Sequence, residues 1–183
     1  MAGVNITAYK NNTNKGSYLL NLFDNNNINE ILSYLDNNHD ININEQGKFG
    51  RTALYYACRN GSLDLIQILL DKGANIELRN HHGFTPIYCA SLHNQPHIIQ
   101  LLHDYGGNIY KTDAGGLSPL HIAAEKGYIK VVKILLDLDK QHQYVFMKDS
   151  IGYTPYDWAI LKHHSDCAEL LNSSMTQFSS INC

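Results

Sequence analysis

A small-residue turn, an alanine-rich segment and a bulkier apolar segment follow one another in GLSPLHIAAEKGYIKVVKILL, residues Gly116 to Leu136. The same order begins at Gly50 (GRTALYYACRNGSLDLIQILL), at Gly83 (GFTPIYCASLHNQPHIIQLLH) and at Gly152 (GYTPYDWAILKHHSDCAELLN). These four glycines lie 33, 33 and 36 residues apart, so the sequence indicates an internal repeat rather than one continuous core.

Each copy carries the signals of a turn followed by two helices. The first glycine suits a turn because it has no Cβ. A hydroxyl side chain two residues later is placed to cap the first helix: Thr52, Thr85, Ser118 and Thr154. In three copies a proline follows at the first helical position: Pro86, Pro119 and Pro155. A small residue recurs where neighbouring first helices would approach closely: Ala57, Ala90, Ala123 and Ala159. Between the helices stand residues that tolerate a left-handed helix end: Gly61, Asn94, Gly127 and His163.

A weaker copy, LLNLFDNNNINEILSYL, precedes the four at Leu19 to Leu35 and lacks the turn. A single two-helix unit leaves one face bare, so the copies should stack into a one-dimensional solenoid with atypical ends. We predict repeats at about 17–46, 47–79, 80–112, 113–148 and 149–172, a domain spanning 17–172. Residues 1–16 and 173–183 are polar and are predicted to be flexible tails.

These residues resemble the ankyrin repeat, which has a period of about 33 residues and a T-P-L-H-x-A signature. The match is closest in SPLHIAAEKGYIKVVKILL, where His121 is the one copy of the signature histidine, and it covers about Leu19 to Leu171. The resemblance implies an all-α solenoid of helix-turn-helix units with β-turn fingers, about five repeats including end caps. The TPYD segment looks like a closing repeat, so Gly152 to Leu171 is the expected C-terminal cap.

Bulk composition narrows the function classes. Hydrophobic residues make up 44% and charged residues 17% of the 183 residues, which is typical of a globular protein. The net charge of −3 gives no reason to expect nucleic acid or membrane binding. The sequence contains no signal peptide and no apolar run of 18 residues, and its four cysteines lack CxxC spacing. We expect a cytoplasmic monomer, with the nucleus as the alternative compartment.

Catalytic and metal-binding chemistry are not expected. The pairs His81-His82 and His163-His164 point in opposite directions and have no HExxH or paired Cys/His spacing beside them. No phosphate-binding glycine loop or nucleophile elbow occurs. Cys58 falls at a small-residue position of a first helix, which favours an inert core thiol over a nucleophile. We therefore predict no enzyme, no cofactor and no metal.

The resemblance implies a protein-binding concave surface made from the fingers and the outward side of the first helices. Carried onto this chain, the candidate partner-binding residues are Phe49, Arg51, Arg59, Arg79, His81, His82, Phe84, Leu92, Leu117, Lys126, Ile151, Tyr153 and Lys162. We expect Phe84, Leu117 and Tyr153 to act as apolar anchors and Arg51, Arg59 and Arg79 to steer the partner. The apolar residues of neighbouring fingers could instead pack on one another, and both interpretations stand.

Charge suggests the kind of partner. Basic residues are concentrated on the finger side and many acids on the second helices, so the groove favours an acidic protein or peptide. A regulatory or substrate-adaptor subunit of an enzyme complex is the alternative function, and nucleic-acid binding through the basic face is a weaker one. The last interval carries an insertion, Asp137 to Met147, whose Tyr144, Val145 and Phe146 are expected to pack locally rather than contact a partner.

Overall fold

The computed structural model describes residues 15–181 as a stack of five helix pairs. The pairs are α1 (Lys15–Asp24) and α2 (Ile28–Asn37), α3 (Ala53–Asn60) and α4 (Leu63–Asp71), α5 (Pro86–Leu92) and α6 (Pro96–Asp104), α7 (Pro119–Lys126) and α8 (Ile129–Leu138), and α9 (Pro155–Leu161) and α10 (Ser165–Ile181). Each first helix packs on the first helix of the next pair, and α6 packs on α8 and α8 on α10. The prediction of an all-α solenoid of about five units is confirmed.

The helix boundaries follow the predicted local chemistry. The side-chain oxygens of Thr52, Thr85, Ser118 and Thr154 each accept a hydrogen bond from the amide three residues later. The residues between the helices adopt left-handed backbone conformations, with φ of +79°, +56°, +69° and +60° at Gly61, Asn94, Gly127 and His163. These contacts satisfy backbone groups that a helix end would otherwise leave unpaired.

The core runs through the stack as one cluster. The recurring small residues of the first helices are completely buried: Ala57, Ala90, Ala123 and Ala159. Larger aliphatic side chains of the second helices fill the other side of the cluster, for example Ile66, Leu69, Val132 and Leu135. Because every unit buries its faces against its neighbours, stability is shared along the stack.

Backbone hydrogen bonds join the turns, or fingers, of successive repeats. The amide of His81 donates to the carbonyl of Phe49 over 2.9 Å, and the amide of Ala114 to that of His82 over 3.4 Å. The amide of Ser150 donates to the carbonyl of Gly115 over 3.1 Å. The four fingers are therefore fixed relative to one another before any partner arrives.

The insertion closes over the core instead of projecting from it. Tyr144 and Val145 are buried in a short 3-10 turn, Tyr144–Phe146, while Phe146 is exposed. The Tyr144 hydroxyl donates to the carbonyl of Ile109 and accepts from the amide of Leu120, 3.2 Å away. Local packing is thus confirmed for Tyr144 and Val145.

The two ends differ from the predicted tails where the structure describes them. The first helix begins at Lys15, inside the predicted tail 1–16, and residues 1–14 lie outside the described part of the chain. At the other end α10 continues to Ile181, so residues 173–181 are helical and extend the last repeat beyond residue 172. Among the helices described, none combines the length and apolar character needed to cross a membrane.

Candidate interaction surface

Two sets of predicted contact residues line the finger side of the stack. The finger row consists of the residues on either side of the turn glycines: Phe49, Arg51, His82, Phe84, Gly115, Leu117, Ile151 and Tyr153. The helix row consists of the residues near the ends of the first helices: Arg59, Leu92, Glu125 and Leu161. Ile151, Leu161, Phe49 and Tyr153 are the open apolar members, with exposed fractions of 67%, 54%, 45% and 43%. Phe84, Leu92 and Leu117 are only half-buried, so less of each side chain is available to a partner.

Aromatic side chains form a continuous path along the first two fingers. The His82 ring lies between those of Phe49 and Phe84, at centroid distances of 6.4 and 5.5 Å. Phe84 then stacks on Tyr88 at 4.3 Å and packs against the core. Phe84 therefore packs within its own repeat, whereas Phe49 contacts His82 of the neighbouring finger and remains exposed.

Phe49 is also held in an uncommon backbone conformation. Its φ of +60° lies in the left-handed region, which is costly for a bulky residue that is not glycine. The carbonyl of Phe49 accepts the hydrogen bond from His81 of the next finger. His81 and His82 are themselves exposed at this finger.

The arginines of the second repeat lie flat on aromatic rings. The Arg51 guanidinium sits 5.2 Å from the Phe49 ring centre and 5.3 Å from that of Tyr55. The Arg59 guanidinium sits 4.9 Å from the ring of Tyr56. Such cation–π contacts orient the two cations without neutralising them.

Arg79 has a structural contact that the sequence analysis did not foresee. Its guanidinium donates to the carbonyl of Thr112 over 2.9 Å, one repeat further along the chain. Gln46 stands at the equivalent position of the previous repeat and donates to the carbonyl of Arg79 over 2.8 Å. This position therefore links successive repeats, and its use by Arg79 competes with the proposed steering role.

The two lysines of the predicted surface share one carboxylate. Glu125 lies 3.8 Å from Lys126 and 3.7 Å from Lys162, and Lys162 also lies 5.6 Å from the Trp158 ring. Glu125 thus offsets much of the positive charge at the C-terminal half of the helix row. Arg51 and Arg59 of the same surface take part in no ion pair within the described residues.

Polar side chains brace the fingers from within. Asp113 and Asp149 each accept two backbone amide hydrogen bonds at 2.8–3.0 Å. Asn80 does the same for the amides of His82 and Phe84. The repeat period places Asn80 at the same position, so the alignment itself could have identified it.

Asp149 has a further partner in the last repeat. The indole of Trp158 donates to its second carboxylate oxygen over 2.8 Å. Burial opposes ionisation, yet the hydrogen bonds from Trp158, Tyr153 and Ile151 lower the pKa of Asp149. The carboxylate form is therefore the one that braces the final finger.

His121 ties the third finger-bearing repeat to the fourth. Its Nδ1 accepts from the amide of Ser118 over 3.1 Å and lies 2.7 Å from the Ser118 hydroxyl. Its Nε2 lies 3.1 Å from the carbonyl of Tyr153 and is the donor there. Burial lowers the pKa of His121, and a proton on Nδ1 would face two donors, so the neutral ring fits this site.

We expect stability to fall in mild acid because of His121. The unfolded state keeps a histidine pKa of about 6.5, whereas the folded value is lower, so the unfolded chain binds more protons. The stabilisation is present above pH 6.5 or so, and is lost as the pH falls through the folded pKa. Urea denaturation between about pH 5 and 7 should show this slope. His121→Tyr introduces the residue found at this position in two other repeats and should flatten the slope. His163→Asn changes an exposed histidine and should leave the slope unchanged. Equal slopes in all three proteins would contradict the assignment.

The described cysteines are buried in the stack. Burial raises the pKa of Cys58, and it raises that of Cys89 to about 12. The Cys89 thiol donates weakly to the carbonyl of Tyr55. Burial and a high pKa favour the inert core interpretation for Cys58. Within residues 15–181 no three His, Cys, Asp or Glu side chains are grouped so that they could hold a metal ion.

The last repeat exposes apolar side chains near positions that are buried in the other repeats. Ile160 occupies the position of Cys58, Ser91 and Ala124, which are all completely buried. Ile160 and its neighbour Leu161 are both exposed, although a closing repeat normally has a polar outer face. The expected C-terminal cap thus carries apolar residues at the end of the stack.

The repeats identify the class of protein. A family model described as ankyrin repeats, three copies long, matches residues 19–113 and 93–180. The chain belongs to the ankyrin-repeat family, whose members generally serve as protein–protein interaction modules and are typically non-catalytic.

Two curated relatives match a short part of the chain. Over 49 residues, 27% of this chain, it is 39% identical to the serine/threonine-protein kinase TNNI3K of Mus musculus. The protein of the same name from Rattus norvegicus matches with the same identity and coverage. The matched segment spans 6% of the length of each relative.

Proposed function

We propose that this chain is a non-enzymatic interaction module that binds a partner protein or peptide through the concave surface made by its fingers and first helices. The observation that carries the proposal is the finger row itself. Phe49, Ile151 and Tyr153 are exposed on the fingers, beside the other cationic and apolar side chains of the finger row. Exposed aromatic residues in such a setting supply binding energy when a partner covers them.

The fingers support this function because they are already ordered. Hydrogen bonds between backbone groups connect successive fingers, and Asn80, Asp113 and Asp149 brace three of them from inside. A surface that needs no rearrangement avoids the entropy cost of ordering loops on binding. We infer that a monomer binds its partner with little change of backbone, in the cytoplasm or, alternatively, in the nucleus.

The exposed fractions suggest a matched pair of variants for testing the surface. Phe49→Ala/Tyr153→Ala removes two finger-row rings with exposed fractions of 45% and 43%. Leu63→Ala/Tyr105→Ala removes side chains with exposed fractions of 45% and 44% from the second-helix side. Affinity capture from a lysate of the source cells, followed by mass spectrometry, should recover a partner with the wild type and the second-helix variant. We expect the finger-row variant to lose about tenfold or more in affinity, as for truncated interface anchors.

Circular dichroism melting curves establish that all three proteins remain folded. A partner retained equally by both variants would move the binding site away from the finger row. Phe84 is a poorer choice for this test than the sequence suggests, because its ring stacks on Tyr88 and its loss would disturb the core. Capture of an enzyme through the finger row would favour the alternative role as a regulatory or adaptor subunit.

A further inference from the structure

We propose that Arg51 and Arg59 form an anion-binding subsite within this surface, which takes a carboxylate or phosphate group on the side chain of a partner peptide. The inference rests on the proposed function and gives it a chemical preference. It concerns the second repeat, where two guanidinium groups stand on the same side of α3.

The sequence positions of Arg51, Tyr55 and Arg59 create the subsite. Arg51, Tyr55 and Arg59 are four residues apart in succession, so Tyr55 and Arg59 share one face of α3, and Arg51 lies just before its first turn. Arg51 lies over the Tyr55 ring at 5.3 Å, which places its guanidinium between the finger and the helix. Burial raises the pKa of Tyr55 to about 12, and the charges of Arg51 and Arg59 both oppose that rise, so the two guanidinium groups lie near the same hydroxyl.

Aromatic contacts hold both guanidinium groups in place and leave their positive charge available to an anion. Arg51 is flanked by Phe49 and Tyr55, and Arg59 lies over Tyr56. A guanidinium stacked in this way keeps its edge free for paired hydrogen bonds to a carboxylate or phosphate. The immobilised arginines also lose less side-chain entropy when an anion binds.

The two arginines are outside the ion pairs of the described structure. Among residues 15–181 the observed ion pairs join Glu125 to Lys126 and Lys162, and none involves Arg51 or Arg59. Asp24, an acid of α1 on this side, interacts with the hydroxyl of Tyr56, which Arg51 also approaches. The Nε of Arg51 is buried with no hydrogen-bond partner in the described structure. An unpaired buried donor is costly, and an anion bound beside it would recover that cost.

Hydrogen bonding also leaves Arg59 able to bind an anion. Its Nε donates to the side-chain carbonyl of Asn60 over 3.2 Å. Asn60 in turn donates to Asn26 over 2.9 Å, so the guanidinium is anchored by its inner edge. The outer nitrogens of the fork are the ones that point away from this anchor. They are suited to a bidentate contact.

The positive charges of the two arginines also act on the next repeat. Burial lowers the pKa of His93, and the charges of Arg59 and Arg51 lower it further. The two arginines therefore act across the boundary between repeats, at the point where a bound peptide would cross it. Half-buried Phe84 and Leu92 of that next repeat provide apolar surface beside the cations. This combination fits an acidic side chain followed by apolar ones in a peptide better than a nucleic-acid backbone.

Three acetylated hexapeptides test the subsite in the full chain: hexaglutamate, hexaglutamine, and hexaglutamine with phosphoserine at its two central positions. We expect the glutamate and phosphoserine peptides, but not hexaglutamine, to shift the NMR resonances of the Arg51 and Arg59 Nε–H groups. Binding should weaken at high salt because the contact is ionic. The stronger of the two anionic peptides then distinguishes a carboxylate from a phosphate preference.

Variants separate this site from other basic residues. Arg51→Gln/Arg59→Gln should weaken the anionic peptides about tenfold or more, because a hydrogen bond to a charged group is worth roughly that much. Lys130→Gln/Lys133→Gln removes the same charge from exposed positions of α8, a second helix outside the candidate surface, and should leave affinity within about twofold. The single variant Arg59→Gln, which keeps Arg51 on its aromatic neighbours, should also weaken binding if the double variant proves unstable.

Equal binding by the arginine double variant, equal shifts with hexaglutamine, or no shift with either anionic peptide would overturn the subsite. Tighter binding of a six-nucleotide oligothymidylate than of the peptides would overturn the choice of a peptide and favour nucleic acid. The proposed function fails separately. A partner lost with Phe49→Ala/Tyr153→Ala but retained by the arginine variants would reject only the subsite. Anionic peptides could instead bind at the arginines while the captured partner is retained by both the finger-row variant and the arginine variant. That result would reject only the proposed interaction surface.

Discussion

Replacing Tyr144 with alanine should lower the free energy of unfolding by about 3–5 kcal/mol, the range for removing a large buried aromatic side chain. Tyr144 is completely buried, and its ring meets that of Tyr110 edge-on at 5.0 Å. The variant would also leave the carbonyl of Ile109 and the amide of Leu120 without their hydroxyl partner. Urea denaturation followed by circular dichroism measures the loss.

Two further variants divide that effect into its parts. Tyr144→Phe keeps the ring and removes the hydroxyl, so we expect a loss of about 1–3 kcal/mol from the unpaired backbone groups. Phe146→Ala, in the same 3-10 turn but exposed, should cost less than about 1 kcal/mol. If Tyr144→Ala cost no more than Phe146→Ala, the insertion would not be docked on the core as described.

Hydrogen bonds to Asp139 hold Tyr144 and the insertion in place. Asp139 is buried and accepts hydrogen bonds from the amide of Tyr144 over 2.7 Å and from the hydroxyl of Tyr110 over 2.8 Å. Burial, followed by the bond to Asp139, raises the pKa of Tyr110 to about 12. Tyr110 therefore remains a hydrogen-bond donor at neutral pH.

Replacing Gly116 with alanine should cost about 2–4 kcal/mol, because strain and a collision add together. Gly116 has a φ of +77°, and an added Cβ would lie 2.9 Å from the amide nitrogen of Ser150. That amide belongs to the next finger and donates to the carbonyl of Gly115. Relief of the collision would therefore separate two fingers and weaken their hydrogen bond. Thermal and urea denaturation give the stability change.

Gly152→Ala is the matched control for the collision. Gly152 has the same left-handed backbone, with φ of +91°, but nothing lies within 4 Å of the position of its Cβ. The variant should therefore show only the conformational cost, about 1–2 kcal/mol. Equal losses at the two positions would mean that the contact between the last two fingers contributes no stability. A larger loss at Gly116 would show that the fingers support one another.

Much of the fold was predictable because its determinants are short-range. Thr85 caps a helix that Pro86 begins, and Asn94 ends it in a left-handed conformation; all three act within ten residues of one another. The period then repeats that unit, and stacking is the means by which each copy buries its bare face. At the ends the pattern fades, and the sequence did not predict that α10 continues to Ile181.

The candidate surface was less predictable because exposure depends on which rings and charges each side chain meets in the folded chain. The row of apolar residues after the turn glycines looks uniform in the sequence. In the structure Phe84 stacks on Tyr88, while Tyr153 remains exposed beside Trp158. The lysines likewise look as basic as the arginines until Glu125 is found between Lys126 and Lys162.

The amino-acid sequence alone established an ankyrin-type solenoid and its helix caps, because those features depend on residues close together in the chain. The tertiary structure was needed to show that Tyr144 and Asp139 dock the insertion, that the fingers are joined by hydrogen bonds, and that Arg51 and Arg59 are outside the ion pairs of the described residues. Several of these features depend on partners about one repeat away. Local patterns do not show whether a side chain at that distance finds a ring, a carboxylate or water.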